Sequence, residues 1–316
     1  MSRVRTLALI CVLTLVTATM GLFIINQKPN HPAGAPNPTP TTTAGVDANP
    51  TPSAASPTPN HTRPPLPNID HPHVWASWAL LDRRTGDITT GGKTGPSTTE
   101  SMIKVAIGAQ YLHQLEEAGR SPTAHERTLI MRMIEVSDND AAQTLYRRGG
   151  ADTMLRAVIA ACHLHQTHTR PGWWSETTMT PTDAAKMGAC IAEGTVASPP
   201  WADWLIDVMR DVRGPSRFGI IDARPIDRGR PLAIKNGYTV RGDGWHVNCL
   251  AVADWWSLEV MSRYPTSFGL VYGANLCESV AAALLADIET PAPRQGTGVP
   301  DVPLDAVQTV GDGRLP

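Results

Sequence analysis

The sequence lacks any excess of charge of one sign. It has 27 lysines and arginines against 29 aspartates and glutamates, and the basic residues are not gathered into a stripe. That excludes the electrostatic footprint of a nucleic-acid-binding protein. A complete phosphate loop is also missing: Gly92-Lys93-Thr94 has the right ending, but Asp87 stands where the first glycine is required. No metal-ligand spacing is present either. His163, His165 and His168 follow Cys162 without matching a zinc pattern, so they read as a helix tail and loop. Neither metal nor cofactor is expected. Apolar residues are nearly absent from Pro29 to Pro72, where Pro, Thr, Ala, Ser and Asn dominate. Such a segment cannot offset its ordering entropy, so residues 29–72 are expected to form an extended, disordered linker. The sequon Asn60-His61-Thr62 inside it reads as a chance occurrence. Residues 291–316, rich in Pro and Gly, are expected to be a loose tail.

Charge is missing again from Leu7 to Ile25, and here the residues are apolar. The run is long enough to cross a bilayer as a helix. Arg3 and Arg5 precede it, which keeps the N-terminus cytoplasmic and sends the rest outward. Residues 1–28 are therefore expected to be a signal anchor, with a single-pass chain and an extracytoplasmic domain. The rival is a signal peptide cleaved after Val16-Thr17-Ala18, which would leave a secreted chain. The apolar run continues past that point, which favours the anchor. Cys11, deep in the run behind Ile10, reads as a membrane-buried residue rather than a lipid acceptor. Four cysteines remain in the exported part: Cys162, Cys190, Cys249 and Cys277. An oxidising compartment permits two disulfides in any of three pairings, or four buried thiols.

Between residues 73 and 290 the chain is long enough for one good core. Val74 to Asp82 and Ile88 to Gly91 read as a hairpin around Thr85-Gly86. Helices are expected from Ser101 to Glu117, from His125 to Val136, through Leu145 to the stop at Gly149-Gly150, from Ala151 to Cys162, and from Trp201 to Val212. Thr180-Pro181-Thr182-Asp183 opens another, with Thr180 as N-cap, proline first and an acid in the first turn. Leu232 to Lys235 reads as a short strand ending at Asn236-Gly237. Val247 to Ala253 and Trp256 to Arg263 follow as strands, and Asn275 to Ile288 as an amphipathic closing helix. Strands from both ends can meet in one antiparallel five-stranded sheet flanked by helices, with the middle helices as a lobe: an α/β (α+β) fold.

The candidate chemistry starts at Ser101-Met102-Ile103-Lys104. On a helix, Ser101 and Lys104 lie one above the other. A serine at a helix start has free backbone N–H groups and the positive dipole end beside it, which suits a nucleophile whose reaction builds an oxyanion. A lysine one turn on, driven into apolar surroundings, loses part of its preference for charge and can take a proton. The bland alternative is an N-cap and an exposed helix lysine. Two further clusters follow in order: Ser137-Asp138-Asn139 between helices, and Lys235-Asn236-Gly237 at a strand end. Taken singly, these are a capping cluster and an ordinary strand end.

As an ordered set, S-x-x-K, S-D-N and K-x-G resemble the class A β-lactamases and penicillin-binding proteins. The opening hairpin, the terminal helix and Thr177-Thr178-Met179-Thr180-Pro181 are similar to that family too. The resemblance implies roles. Ser101 becomes acylated, Lys104 takes or relays its proton, and Lys235 helps hold Lys104 neutral and attracts an anionic substrate. Ser137 passes a proton to the leaving nitrogen, and Asn139 orients Lys104 and the substrate amide. Asn236 and Gly237 bind substrate, and the backbone N–H groups of Ser101 and Tyr238 form the oxyanion hole. Trp173, Trp174 and Trp245 are candidates for the rim of the cleft.

Three departures qualify this. Asn236 replaces the usual threonine or serine; the interval from Ser101 to Ser137 is short; and the omega loop is shortened. Glu176 lies directly beside the threonine-proline segment, too close to take the family's deacylating role, and reads as structural. The resemblance therefore implies a monomeric serine hydrolase that opens β-lactams through an acyl-serine. The alternatives are a D-alanyl-D-alanine carboxypeptidase acting on the peptidoglycan stem peptide and a catalytically weak wall-binding or sensor module.

Overall fold

The computed structural model describes residue 69 and residues 71–223 and 231–286. The anchor, the linker with its sequon, the C-terminal tail and Ile288 lie outside them. The chain opens with strands β1 (Trp75–Asp82) and β2 (Ile88–Gly92) and a two-residue strand β3 (Ser97–Thr98). Four helices follow: α1 (Lys104–Glu117), α2 (Ala124–Glu135), α3 (Asn139–Arg148) and α4 (Asp152–Ala161). The short strand β4 (Thr178–Met179) pairs antiparallel with β3. Helices α5 (Pro181–Ala192) and α6 (Pro199–Arg210) lead into strands β5 (Ala233–Arg241), β6 (Gly244–Val252) and β7 (Trp256–Tyr264), and α7 (Gly269–Leu285) closes the described chain.

The five long strands form one antiparallel sheet in the order β2-β1-β7-β6-β5. Its two faces follow from strand alternation. On one face lie Lys235, Gly237, Thr239 and Arg241 of β5, with their cross-strand partners Leu250, Asn248, His246 and Gly244. Helix α5 packs on that face so closely that a Cβ on Gly188 would stand 2.7 Å from Ser257 Oγ. The opposite face, which carries Cys249 and Val247, receives α7: Cys277 is bonded to Cys249, and a Cβ on Gly273 would lie 2.9 Å from Val247. By length and a mean hydropathy of 1.5, residues 266–285 would suffice to cross a membrane, but their inner side is spent on the sheet.

Helix α1 runs through the interior of the helical lobe. Ten of its 14 residues are buried, which is what an apolar circumference requires. The Thr180 cap read from sequence forms, and the structure adds a second at α2. Thr180 accepts from the Asp183 N–H with Pro181 first in α5. Thr123 and Glu126 complete a capping box at α2, with Glu126 also held by Arg120.

Two boundaries differ from the reading. Strand β5 does not stop at Asn236-Gly237 but continues to Arg241, because both residues pair with Cys249 and Asn248 of β6. Helix α7 begins at Gly269, six residues before Asn275, and its first turns join an aromatic cluster of Tyr264, Phe268 and Tyr272.

The four cysteines form Cys162–Cys190, tying the end of α4 to α5, and Cys249–Cys277, tying β6 to α7. Each closes a loop of 28 residues in sequence separation, which in the chain-entropy account contributes roughly 3 kcal/mol. Replacing Cys249 and Cys277 by alanine is expected to lower unfolding stability by about 3 kcal/mol. Urea melts of the parent and variant, with and without reductant, check this: reduction should lower both midpoints through Cys162–Cys190, the parent's by the larger amount, and bring the two together.

Candidate active site

The nucleophile segment is a tight turn rather than the first turn of a regular helix. Glu100–Ile103 form a 3-10 turn that passes directly into α1 at Lys104. Glu100 has φ of +50°, a left-handed backbone that a non-glycine residue adopts only when its surroundings impose it. Ser101, next in line, is half-buried, and its hydroxyl has no protein hydrogen-bond partner among the described residues.

Lys104 is fully buried. Its Nζ lies 2.6 Å from the Ser137 carbonyl oxygen, 2.7 Å from Asn139 Oδ1 and 3.1 Å from Ser137 Oγ. The Trp174 ring covers it, with Nζ 5.1 Å from the ring centroid. The first two contacts are to pure acceptors and use two N–H groups. The third is to a hydroxyl that can itself donate, so a neutral amine is fully satisfied here, its lone pair facing Ser137 Oγ. Burial brings the Lys104 pKa down to about 7, against a smaller upward pull from the charge of Asp138. Asp138 is otherwise occupied: it caps α3 by accepting from the Ala141 N–H at 2.9 Å and pairs with Arg132. Ser137, like Glu100, has positive φ, at +58°.

Lys235 enters from the sheet face opposite α1. It is fully buried and its Nζ has no hydrogen-bond partner among the described residues. Burial holds its amine well below the ordinary lysine range, and the charge of Lys104 pushes it further the same way. The repulsion is reciprocal, so each amine weakens the other's hold on a proton, and burial is the main cause of the depression at both.

Gly237 lies against the nucleophile turn. A Cβ there would stand 2.7 Å from the backbone nitrogens of Ser101 and Met102 and 2.6 Å from the Thr99 oxygen. Only glycine permits this approach. Strand β5 is the edge of the sheet, so its outward backbone groups next to Ser101 are open to a partner. Tyr238 is half-buried, its ring 5.6 Å from that of Phe218.

Asn236 departs from its expected role. Alternation along β5 turns it to the face away from Lys235. It is buried, and its Nδ2 donates to the Ser216 oxygen at 3.0 Å and the Phe218 oxygen at 2.8 Å. Both N–H groups are spent on fastening the 216–218 segment, so neither is left for a substrate carboxylate. Glu176 pairs with Arg170 and, at 3.2 Å, with Arg241. Trp174 is buried over Lys104 and donates to Gln143 Oε1 at 3.1 Å, whereas Trp173 is exposed. Cys162, in its disulfide, is removed from any metal set with the neighbouring histidines.

Three residues of consequence were not singled out in the sequence. Arg241 binds the Glu100 carboxylate with Nε and Nη2 at 2.7 and 2.9 Å. Asn248 donates to the Thr98 oxygen at 2.8 Å, supporting the approach to the nucleophile turn. Their only sequence signal is position: Arg241 stands an even number of residues from Lys235 on the same strand. Two cavities, of about 420 Å³ beside Arg83 and Arg210 and about 180 Å³ beside Lys93 and Thr182, are lined by other residues than these.

The fold is shared with known proteins. In solved structures, PBP-A superposes with a TM-score of 0.56 at 18% identity, covering 69% of this chain and 91% of PBP-A. The fold is β-lactamase-like. A TLA-1 extended-spectrum β-lactamase matches at a TM-score of 0.57 and 12% identity, over 69% of this chain and 95% of its own. A PBP-A variant captured as an acyl-enzyme with penicillin G matches at 0.55 and 17%, over 68% and 90%. The family model described as "Beta-lactamase enzyme family" matches residues 119–219. Proteins of Mycobacterium tuberculosis and Mycobacterium bovis named "Putative lipoprotein LppW" are 25% identical over 171 residues, 51% of this chain. The chain spans about half the length of these curated relatives, 53%.

Gly237→Ala is expected to push back the Ser101 turn without unfolding the protein. Circular dichroism should be unchanged, while backbone hydrogen exchange across residues 99–104 should speed at least tenfold.

Proposed function

We propose that the chain is a membrane-tethered, extracytoplasmic serine hydrolase that is acylated at Ser101 by β-lactams. The observation that carries this is the pairing of a half-buried serine with an amine one turn on whose pKa burial has brought to about 7. The Ser101 oxygen attacks the amide carbonyl carbon, and its proton passes to neutral Lys104. Backbone N–H groups of Ser101 and Tyr238 receive the oxyanion. As the C–N bond breaks, Ser137, hydrogen-bonded to Lys104, hands a proton to the leaving nitrogen and is reprotonated from Lys104. Asn139 holds the amine in line. Lys235, whose hold on a proton burial weakens, holds it more firmly beside an anionic substrate, so binding and charge at that site rise together.

A second reading, a D-alanyl-D-alanine carboxypeptidase of the penicillin-binding kind, is favoured by what surrounds Lys104. No carboxylate hydrogen-bonds to it among the described residues, and Glu176 is committed to two arginines. Without a base to activate water, the acyl-enzyme is long-lived, as suits a protein that β-lactams inhibit rather than one that destroys them. The PBP-A variant trapped with penicillin G shows that an acyl-enzyme is reached on this fold. The lipoprotein name of the mycobacterial relatives accords with membrane attachment.

Labelling with a fluorescent penicillin tests both readings. The parent should be labelled and Ser101→Ala unlabelled. Label that persists for hours supports the peptidase, and rapid loss with nitrocefin hydrolysis supports the β-lactamase. An unlabelled parent would leave the wall-binding module.

The labelling rate should also depend on pH with a defined sign. The reactive form is neutral Lys104, so the rate should climb through pH 7 and level off above pH 8, falling about tenfold per unit well below 7. Lys104→Arg should abolish the rise. A rate flat from pH 5.5 to 8.5 would remove Lys104 as proton acceptor.

A further inference from the structure

The residue before the nucleophile carries a buried carboxylate. Glu100 has a side chain only 5% exposed and a left-handed backbone, and it is the link through which the orientation of the Ser101 peptide is set. Its carboxylate accepts Arg241 Nε at 2.7 Å, Arg241 Nη2 at 2.9 Å and the Thr98 hydroxyl at 2.7 Å. The remaining arm of Arg241, Nη1, reaches Glu176 Oε1 at 3.2 Å, and the other oxygen of Glu176 meets Arg170. Glu176 ends the turn Trp174–Glu176, whose first residue covers Lys104. Two carboxylates and two guanidiniums thus form one neutral chain. It joins the nucleophile turn, the end of β5 and the segment roofing the proton acceptor.

We propose that Arg241 and Glu100 are positioning residues for Ser101: their forked ion pair holds the strained peptide before the nucleophile in the orientation that acylation requires. The inference rests on the acyl-serine reading above and adds to it the device that aims the serine. Three observations favour aiming over mere stapling. The pair acts at the residue adjacent to Ser101 rather than elsewhere on the turn. Arg241 lies on the same face of β5 as Gly237, whose backbone touches the Ser101 nitrogen, so strand and turn are fixed against each other at two points. A positive φ at a non-glycine residue persists only when the surroundings over-determine it, and this carboxylate has three donors doing so. Without Arg241, a buried carboxylate would keep the Thr98 hydroxyl alone. It would then swing out to water, letting φ relax and turning Ser101 with it.

The test uses Arg241→Gln, with Glu100→Gln as a second variant that keeps side-chain shape in case the first folds poorly. Stopped-flow labelling with a fluorescent penicillin separates the non-covalent binding constant from the acylation rate constant. Each variant should acylate roughly 30- to 100-fold more slowly with binding within about threefold of the parent, since a misplacement of about 1 Å can cost two orders of magnitude. The double variant should be no slower than the worse single one, because the two act as a unit. A purely structural pair would lower the melting temperature while the folded fraction acylated at the parent rate, and that result overturns the proposal. Hydrogen exchange of the 99–104 backbone gives a readout that needs no substrate. Faster exchange there in folded Arg241→Gln supports the clamp and unchanged exchange overturns it, even if an unlabelled parent has already removed the acyl-serine reading.

Discussion

The site depends on keeping an amine out of water. Lys104 is carried inward by a helix that is apolar nearly all round, and the fold must then satisfy its nitrogen without restoring its charge. It does so with a carbonyl, an amide oxygen and a hydroxyl, all from the Ser137–Asn139 corner between α2 and α3. A carboxylate in the same place would have kept the proton on. Asp138, the acid of that corner, is instead turned to the N-terminus of α3 and to Arg132, so its charge reaches Lys104 only at a distance. The second buried lysine works by the same physics. Two fully buried amines that repel one another are each held below the ordinary lysine range, chiefly by burial.

Strain accompanies this burial. Glu100 and Ser137 are non-glycine residues with positive φ, a conformation that costs on the order of 1–3 kcal/mol each. Both stand at the centre of the chemistry. Ser137 is held by the bond from Lys104 to its carbonyl and by the capped helix that starts beside it. Glu100 is held by its ion pair and by the strand edge pressed against the following residue. The sheet supplies this second support with economy. One face of β5 delivers the buried amine, the glycine that admits the turn and, beyond Thr239, the arginine that grips it.

Much of this was legible in the sequence, and the limits have physical causes. Ser101-x-x-Lys104 and Ser137-Asp138-Asn139 could be read because their geometry is local: a helix turn fixes the first, an N-cap the second. The five-stranded sheet followed from strand patterns at both ends of the chain. Asn236 was misjudged because its letter was read as part of a motif, whereas the pleat sends neighbours to opposite faces, and its amide serves the 216–218 segment. The true ends of β5 and α7 were missed because pairing with β6 and packing on aromatic neighbours override the local stop signals. The cysteine pairing was open in the sequence, since only the face of the sheet that meets α7 decides which thiols meet. The Glu100–Arg241 pair spans 141 residues and left no local trace.

The shortened segment before β4 is where these constraints bear on reactivity. A base that deacylates must bring a carboxylate to water near the ester, with its charge free to accept a proton. Here the acid of that segment, Glu176, is neutralised by Arg170 and Arg241, and an indole rather than a carboxylate lies over Lys104. The same arginine that grips Glu100, beside Ser101, thus ties up the acid of this segment. Freeing Glu176 would unsettle Arg241, and unsettling Arg241 would loosen Glu100. On the proposed reading, the placement of Ser101 and the occupation of Glu176 have a common structural origin, and a hydrolase that deacylates quickly would need an acid placed outside this chain of ion pairs.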